Sequence, residues 1–560
     1  MIIKPAATAW RALALGLLLL VAGGGLARAA DKPVAPTTDI PVMHEEAKAA
    51  GLDSSYTGSF NFYSGGGGAA FDCNGSGYPS VFLAGGKGRA KLYVNESTQG
   101  GPLKFVEKRL HIQTDRKELH NVIGAYPIDI DGDGYMDLVV LRLGRTLLLK
   151  GGKDCTFTIA NKLWHFNGDP GWDTAFSAIW EPGQKFPTLA IGHYIDRFAP
   201  GSPFGTCEDN SLFRPQKGDT PDYSARTVLR PGWCALSMLF TDWDRSGHPA
   251  LRISNDRQYY RGGEEQMWKI LPGQTPKLYG RNDGWRHFSI FGMGIAQGYL
   301  DNTGYPEYAL TSMGDTMVMQ LERSAARDDK PVYRNIAGAL DATAHQPYTG
   351  GDHRPSTGWH SEFADFNNDS LEDLYISKGN VAQMPDFAAY DPSNLLLGQW
   401  NGKFVEVGKQ AGIADNRQAR GALITDFNLD GNLDILAINR NRNVSLFRNL
   451  GALQKNRPPI PMGNFLEIRL RQPNPNRNAI GAKVAVKIGR RTLYRSLDVG
   501  GGDASGHCCW IHVGLGVAER AEIRVHWPGG GWSYPYRVFA NQFVVIDRTS
   551  PRAQYWYPAH

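Results

Sequence analysis

The chain has 560 residues, 42% of them hydrophobic and 21% charged, a globular balance that excludes an intrinsically disordered protein. Its 66 glycines, about 12% against a usual ~7%, come with 33 prolines and an 11% aromatic share, which argues for short strands joined by turns and against a mostly helical fold. The net charge of +5 includes Lys4, Arg11 and Arg28 of a segment read below as cleaved, and no basic run tracks a phosphate backbone, so nucleic acid is not among the expected partners.

Residues 1–30 read as a secretory signal peptide. Lys4 and Arg11 open it, residues 12–22 (ALALGLLLLVA) are its apolar core, and Ala27-Arg28-Ala29 offers small residues for cleavage. The core is well short of the ~20 residues that span a bilayer, and no later segment is apolar enough to do so. The expectation is a secreted or periplasmic protein with no transmembrane anchor. Residues 31–44 follow as an N-terminal extension. Six cysteines suit an oxidising compartment. Fifteen pairings are open to them; the favoured ones join Cys207 to Cys234 across a polar excursion and Cys73 to Cys155 across neighbouring repeats. For Cys508 and Cys509 the readings are two small thiols, a vicinal disulfide, or a metal site with His507 and His512.

Residues 45–455 are built of repeats. AYPIDIDGDGYMDLVVLR carries Asp129, Asp131, Asp133, Tyr135 and Asp137 ahead of an apolar strand. The frame returns with Asp365, Asn367, Asp369, Leu371 and Asp373, and again with Asp426, Asn428, Asp430, Asn432 and Asp434. Weaker copies keep Asp72, Asn74 and Ser76, or Asp242, Asp244 and Ser246, but end at Ser80 and Ala250. Two more begin at Tyr299 and Trp180 and read as metal-free turns. The seven first positions are spaced by about 59 residues. Units of several short strands repeated seven times predict an all-β, seven-bladed β-propeller, since radial closure protects the sheet edges.

Oxygen-bearing side chains at alternate positions of a tight turn can wrap one hard cation, with the seventh residue adding a carbonyl and the last Asp completing the shell. An EF-hand is excluded, because its twelfth position needs Glu and here holds Val140, Ile376 or Ala437 inside an apolar strand. The expected cofactor is Ca2+, bound in β-hairpin loops and stabilising the blades. The alternative for each loop is an ordinary Asp/Asn/Gly turn.

Two inter-blade stretches are richer in side-chain chemistry than turns require. Asn255, Asp256 and Trp268 in one, and His345, His353, Trp359 and His360 in the other, form a candidate ligand face for a glycan, a protein or another polar partner. Ordinary loops with packed aromatics are the competing reading. No GxSxG, HExxH, CxxC or P-loop is present. Three functions follow: recognition of an extracellular or periplasmic ligand, a calcium- or metal-assisted enzyme acting on a glycan or small polar substrate, and a structural part of an envelope assembly.

After a linker at 456–463, residues 464–548 predict a small β-sandwich or barrel, with Val484, Val486 and Ile488 alternating with Lys483, Ala485 and Lys487; residues 549–560 are a tail. The acidic repeat loops resemble FG-GAP/VCBS repeats, the units of integrin α-subunit propellers. Asn476, Arg477, Gly481 and Ala482, then Gly514, Leu515 and Gly516, then Trp527, Pro528 and Gly529 resemble the ASPIC/UnbV domain. The pairing is similar to the cartilage-acidic-protein-like family, and the resemblance implies a calcium-binding propeller in an extracellular or periplasmic setting, with a role in binding or adhesion. Cys508-Cys509 departs from the domain's usual pattern.

Overall fold

Apolar runs of four to seven residues, cut by Asp/Gly turns, fold into antiparallel sheets throughout the repeat region. The computed structural model describes residues 38–114, 117–168, 170–199, 206–256, 263–288, 290–326, 329–344, 356–381 and 391–558. The leader at 1–30, with His345 and His353, lies outside them. Among the described residues, seven sheets of four or five strands follow one another from Gly68 to Gln454. Their innermost strands are Gly68–Phe71, His120–Ile128, Asp173–Ile179, Ala235–Thr241, Gly292–Gly298, Gly358–Ala364 and Ala419–Thr425. Each touches the next, and the last touches the first, so the sheets close into a propeller ring.

Burial falls from the axis outward. Second strands such as Asp137–Arg142 (DLVVLR) and Asp434–Asn439 (DILAIN) are buried at every residue, because neighbouring sheets cover both faces. Outer strands such as Phe105–Lys108 bury only alternate or terminal residues. Glycine and alanine crowd the innermost strands (GAAF, GMGIAQG, ARGALIT), where seven backbones converge.

The structure redraws three expected boundaries. Pro41–Glu45, read as part of the extension and the first residue of the repeats, is the outer strand of the seventh sheet, with Met43 opposite Asn449 and Glu45 opposite Phe447. Arg457–Ile460, read as linker, folds back as a hairpin on Ser445–Gln454. Gln554–Trp556, read as tail, pairs with Gln542–Asp547 and extends the C-terminal module.

That module is a sandwich. One sheet holds Asn464–Arg471, Trp510–Gly516, Gln542–Asp547 and Gln554–Trp556; the other holds Lys483–Ile488, Arg491–Ser496, Arg520–His526 and Tyr536–Phe539. Leu466, Ile468, Val484, Val486, Ile523 and Val544 are fully buried in its core. Lys483 falls on the expected outer face yet is 7% exposed, because that face lies against the propeller rather than water. Propeller and sandwich belong to one compact unit.

Candidate metal centre

The acidic turns join each innermost strand to the second strand of its sheet, all on one face of the ring. Three of them share one hydrogen-bonded frame, differing in whether the leading Asp accepts from the third or the fourth residue on. In the second sheet, Asp129 accepts hydrogen bonds from the backbone N–H groups of Gly132 (2.9 Å) and Gly134 (3.1 Å), and Asp133 accepts one from Tyr135. Asp137 ties the turn to the sheet by accepting from Ile130 and Gly151, each at 2.8 Å. In the sixth, Asp365 accepts from Asp369 and Ser370, Asp369 accepts from Leu371, and Asp373 accepts from Phe366 and Gly398. In the seventh, Asp426 accepts from Asp430 and Gly431, Asp430 accepts from Asn432, and Asp434 accepts from Phe427 and Asn449. Backbone donors reach both oxygens of each leading and each final Asp and so fix the direction of these carboxylates.

Carboxylate oxygens of Asp129, Asp131 and Asp137 lie within 4.8 Å of one another, forming an acidic cluster able to hold a cation. In the seventh turn, Asn428 donates its amide to Gly101 O and Asp430, while its buried Oδ1 has no hydrogen-bond partner. An oxygen-only donor set with an orphaned buried oxygen fits a hard divalent ion. Electrostatics agree. Burial, and then the neighbouring Asp133, pushes Asp129 up to about 6. Burial, reinforced by adjacent carboxylates, raises Asp137, Asp365, Asp373, Asp426 and Asp434 well above the usual range. Negative charge packed this closely needs a positive partner. In the second turn Lys150 bridges Asp131 and Asp133.

The weaker turns keep part of this frame. Asp72 accepts from Gly75 and Gly77, Asn74 from Ser76, and Ser76 from Tyr78. Asp242 accepts from Gly247, Asp244 from Ser246, and Ser246 from His248.

The model of an FG-GAP-like repeat matches residues 72–140, spanning the first two turns, and the model named ASPIC and UnbV matches residues 472–553. The chain carries an FG-GAP-like repeat and an ASPIC/UnbV domain. No curated protein matches it by sequence. Among solved structures, BBS1N in complex with ARL6 is similar at 8% identity and TM-score 0.41, over 76% of this chain and 99% of that one. Trypanosoma rangeli sialidase with sialic acid is similar at 12% and 0.36, over 80% and 86%. The calcium structure of the Trichoderma reesei family AA12 protein is similar at 8% and 0.33, over 75% and 99%.

The ASPIC/UnbV domain docks on the acidic-turn face and sends residues 497–509 into the ring. Ala178 N–H donates to Val499 O, Gly501 to Met238 O, Gly502 to Ile295 O, and Cys508 to Ala70 O. Asp503 N–H donates to His360 Nδ1, and Gly68 N–H to Ser505 Oγ. Gly506–His507 lies parallel to Gly68–Phe71 as an extra inner strand. The insertion is tight. A Cβ at Gly67 or Gly124 would stand 2.0 Å from Ala504 O, and one at Gly421 would stand 2.4 Å from Ser505 Oγ. Every sheet of the ring therefore contacts this plug.

Between plug, ring and sandwich lies a cavity of about 190 Å3 whose lining includes Gln297, Glu362, Glu467, Arg495, Asp498 and His507. Glu362 accepts from His507 Nε2 at 2.8 Å and pairs with His360 Nε2 at 3.3 Å. Burial opposes its charge, yet the two histidines hold Glu362 down to about 2. Asp503 N–H donates to His360 Nδ1, which leaves Nε2 as the ring nitrogen facing Glu362. Burial pushes Glu467 up to about 8 beside His512 Nδ1, 2.7 Å away. Cys508 and Cys509 form a disulfide, while His507 and His512 face different carboxylates and do not converge on one metal. The other disulfides join Cys73 to Cys155 and Cys207 to Cys234.

Of the candidate ligand face, the described residues Asn255, Asp256, Trp268, Trp359 and His360 are buried. Trp268 packs among Leu212, Phe240 and Leu251 at 5% exposure. Trp359 is sealed, donating to Gly379 O beneath the Arg420 guanidinium. Asn255 is buried, its backbone N–H donating to Glu265, and Asp256 accepts from the Tyr194 hydroxyl. These aromatics and charges pack the sheets. Sequence reasoning missed a buried chain in which Asp173 meets His193 Nδ1 at 2.7 Å and His193 Nε2 meets Ser211 Oγ at 2.9 Å. Positions 173, 193 and 211 carry no motif, and Ser211 is 0% exposed, so the chain links strands rather than attacking a substrate.

Proposed function

We propose that this is an exported, calcium-binding, seven-bladed β-propeller protein for ligand recognition or adhesion in an extracellular or periplasmic setting. The observation that carries the reading is the repetition of an oxygen-only side-chain set on closely related turns in the second, sixth and seventh sheets, with the buried Asn428 Oδ1 left for a ligand. Asp129, Asp131, Asp133 and Asp137, Asp365, Asn367, Asp369 and Asp373, and Asp426, Asn428, Asp430 and Asp434 would hold the ions, which supply positive charge among buried carboxylates. The three disulfides suit an oxidising compartment. Among the described residues no helix is long and apolar enough to cross a membrane.

Calcium binding stabilises the folded state by mass action, on the order of 4 kcal/mol per site at a thousandfold excess over Kd. A chelator is expected to lower the melting temperature by several degrees, and metal analysis of the calcium-loaded protein to return a stoichiometric ion. No shift and no bound calcium would remove the reading. The second turn is expected to bind most weakly, since Lys150 competes for Asp131 and Asp133.

A second reading, a metal-assisted enzyme on a small polar substrate, draws on the cavity where an ionised Glu362 and a raised Glu467 face one space. A glycan and metabolite screen on the calcium-loaded protein, followed by product analysis of any hit, separates the two.

A further inference from the structure

The first and fourth acidic turns lack the final carboxylate, and in each a basic side chain of the ASPIC/UnbV domain approaches the leading aspartate. Arg469 places Nη1 3.7 Å from Asp72 Oδ2, and Lys483 places Nζ 3.6 Å from Asp242 Oδ2. Both bases are largely shielded, with side chains 14% and 9% exposed. They come from opposite sheets of the sandwich, Arg469 from Asn464–Arg471 and Lys483 from Lys483–Ile488. Each is held in place. Arg469 lies 4.2 Å over the Trp510 ring, and Trp510 donates to Gly77 O in the first turn. Lys483 also reaches Gly304 O in the fifth.

Charge matching explains the arrangement at the first turn; the fourth keeps two carboxylates, Asp242 and Asp244, and Lys483 meets Asp242. The complete turns offer three or four carboxylates, suited to a divalent ion, whereas the first offers only Asp72 among Asn74, Ser76 and Ser80. One carboxylate is balanced by one guanidinium. We infer that Arg469 and Lys483 are built-in cations that occupy the first and fourth turns in place of a metal ion, so that the ASPIC/UnbV domain is held by the same acidic frame that elsewhere binds calcium. The inference rests on the calcium reading of the complete turns.

Ser80 occupies the position of Asp137: its Oγ accepts Asn95 N–H just as Asp137 accepts Gly151 N–H. Ser80→Asp therefore restores the missing carboxylate. Calcium per chain, measured on the folded full-length protein, is expected to be unchanged in Ser80→Asp and to rise by one ion in Ser80→Asp with Arg469→Gln. A gain in the single variant, or none in a double variant that keeps the wild-type circular dichroism spectrum, overturns the inference. A thermal double-mutant cycle of Arg469→Gln and Asp72→Asn in calcium-free buffer tests the pair without metal. Coupled shifts in melting temperature, the double variant losing less than the two singles together, support it; additive shifts overturn it. Wild-type protein that binds no calcium would defeat the calcium reading alone, and the cycle would still decide the ion pair.

Discussion

Asp503 stands at the tip of the plug, 0% exposed, and neither of its carboxylate oxygens has a hydrogen-bond partner. Burial pushes it up to about 7, with only the Arg420 charge pulling it down. Arg420 spends its own donors on Tyr63 O, Gly379 O, Ala419 O and Asn380 O, and stacks on Trp359. A carboxyl that titrates higher in the folded chain than in the unfolded one costs stability as pH rises between the two values. Wild-type stability is therefore expected to fall from about pH 4 to about pH 7 through this residue, by about 4 kcal/mol at most, at ~1.4 kcal/mol per pKa unit. Asp503→Asn removes that slope. Urea unfolding at pH 4.5 and pH 8 should show the variant gaining on wild type at the higher pH, and an equal difference at both would contradict it. Nothing in VGGGDASGHCC announces such a group, because the surroundings that bury it come from residues more than 80 positions away. Trp268 and Trp359 mislead for the same reason. An aromatic beside Arg and Glu reads alike whether it faces a ligand or a neighbouring sheet, and only packing separates the two.

At the scale of the element, the acidic turns were legible and the plug was not. Asp129 through Asp137 state their geometry locally, since every backbone hydrogen bond that shapes the turn spans seven residues or fewer, apart from the anchor to Gly151. Residues 497–509 are ordered by partners such as Ala70 and Ala178, which no local pattern identifies. Their fit depends on missing side chains in the ring. Gly124→Ala would drive a methyl to within 2.0 Å of Ala504 O. Overpacking of this kind typically costs about 1–3 kcal/mol, so the variant is expected to melt several degrees lower and to be cleaved faster within the plug in limited proteolysis. Gly531→Ala, with open space around it, serves as the control and should leave both measurements unchanged.

For the whole molecule, period and composition made the ring and the sandwich readable, because each repeat carries its own apolar strands. They did not show how the two parts are joined. Lys483 looked like a solvated face of a half-buried strand, and Pro41–Glu45 (PVMHE) is too short and mixed to declare itself an outer strand. The plug, the basic contacts on the acidic turns and the shared cavity bind ring and sandwich over an extensive surface. Calorimetry is accordingly expected to record one cooperative unfolding transition for the full chain; two resolved transitions would show that the sandwich unfolds independently.

The strand Pro41–Glu45 has a consequence for the order of assembly. It leaves the ribosome among the first residues of the ring, yet its partner Ser445–Gln454 lies some 400 residues downstream. The ring stays open along that seam until nearly all of it has been made, and the plug that fills it is made later still. The oldest segment of the chain is the clasp, and one of the youngest is the stopper.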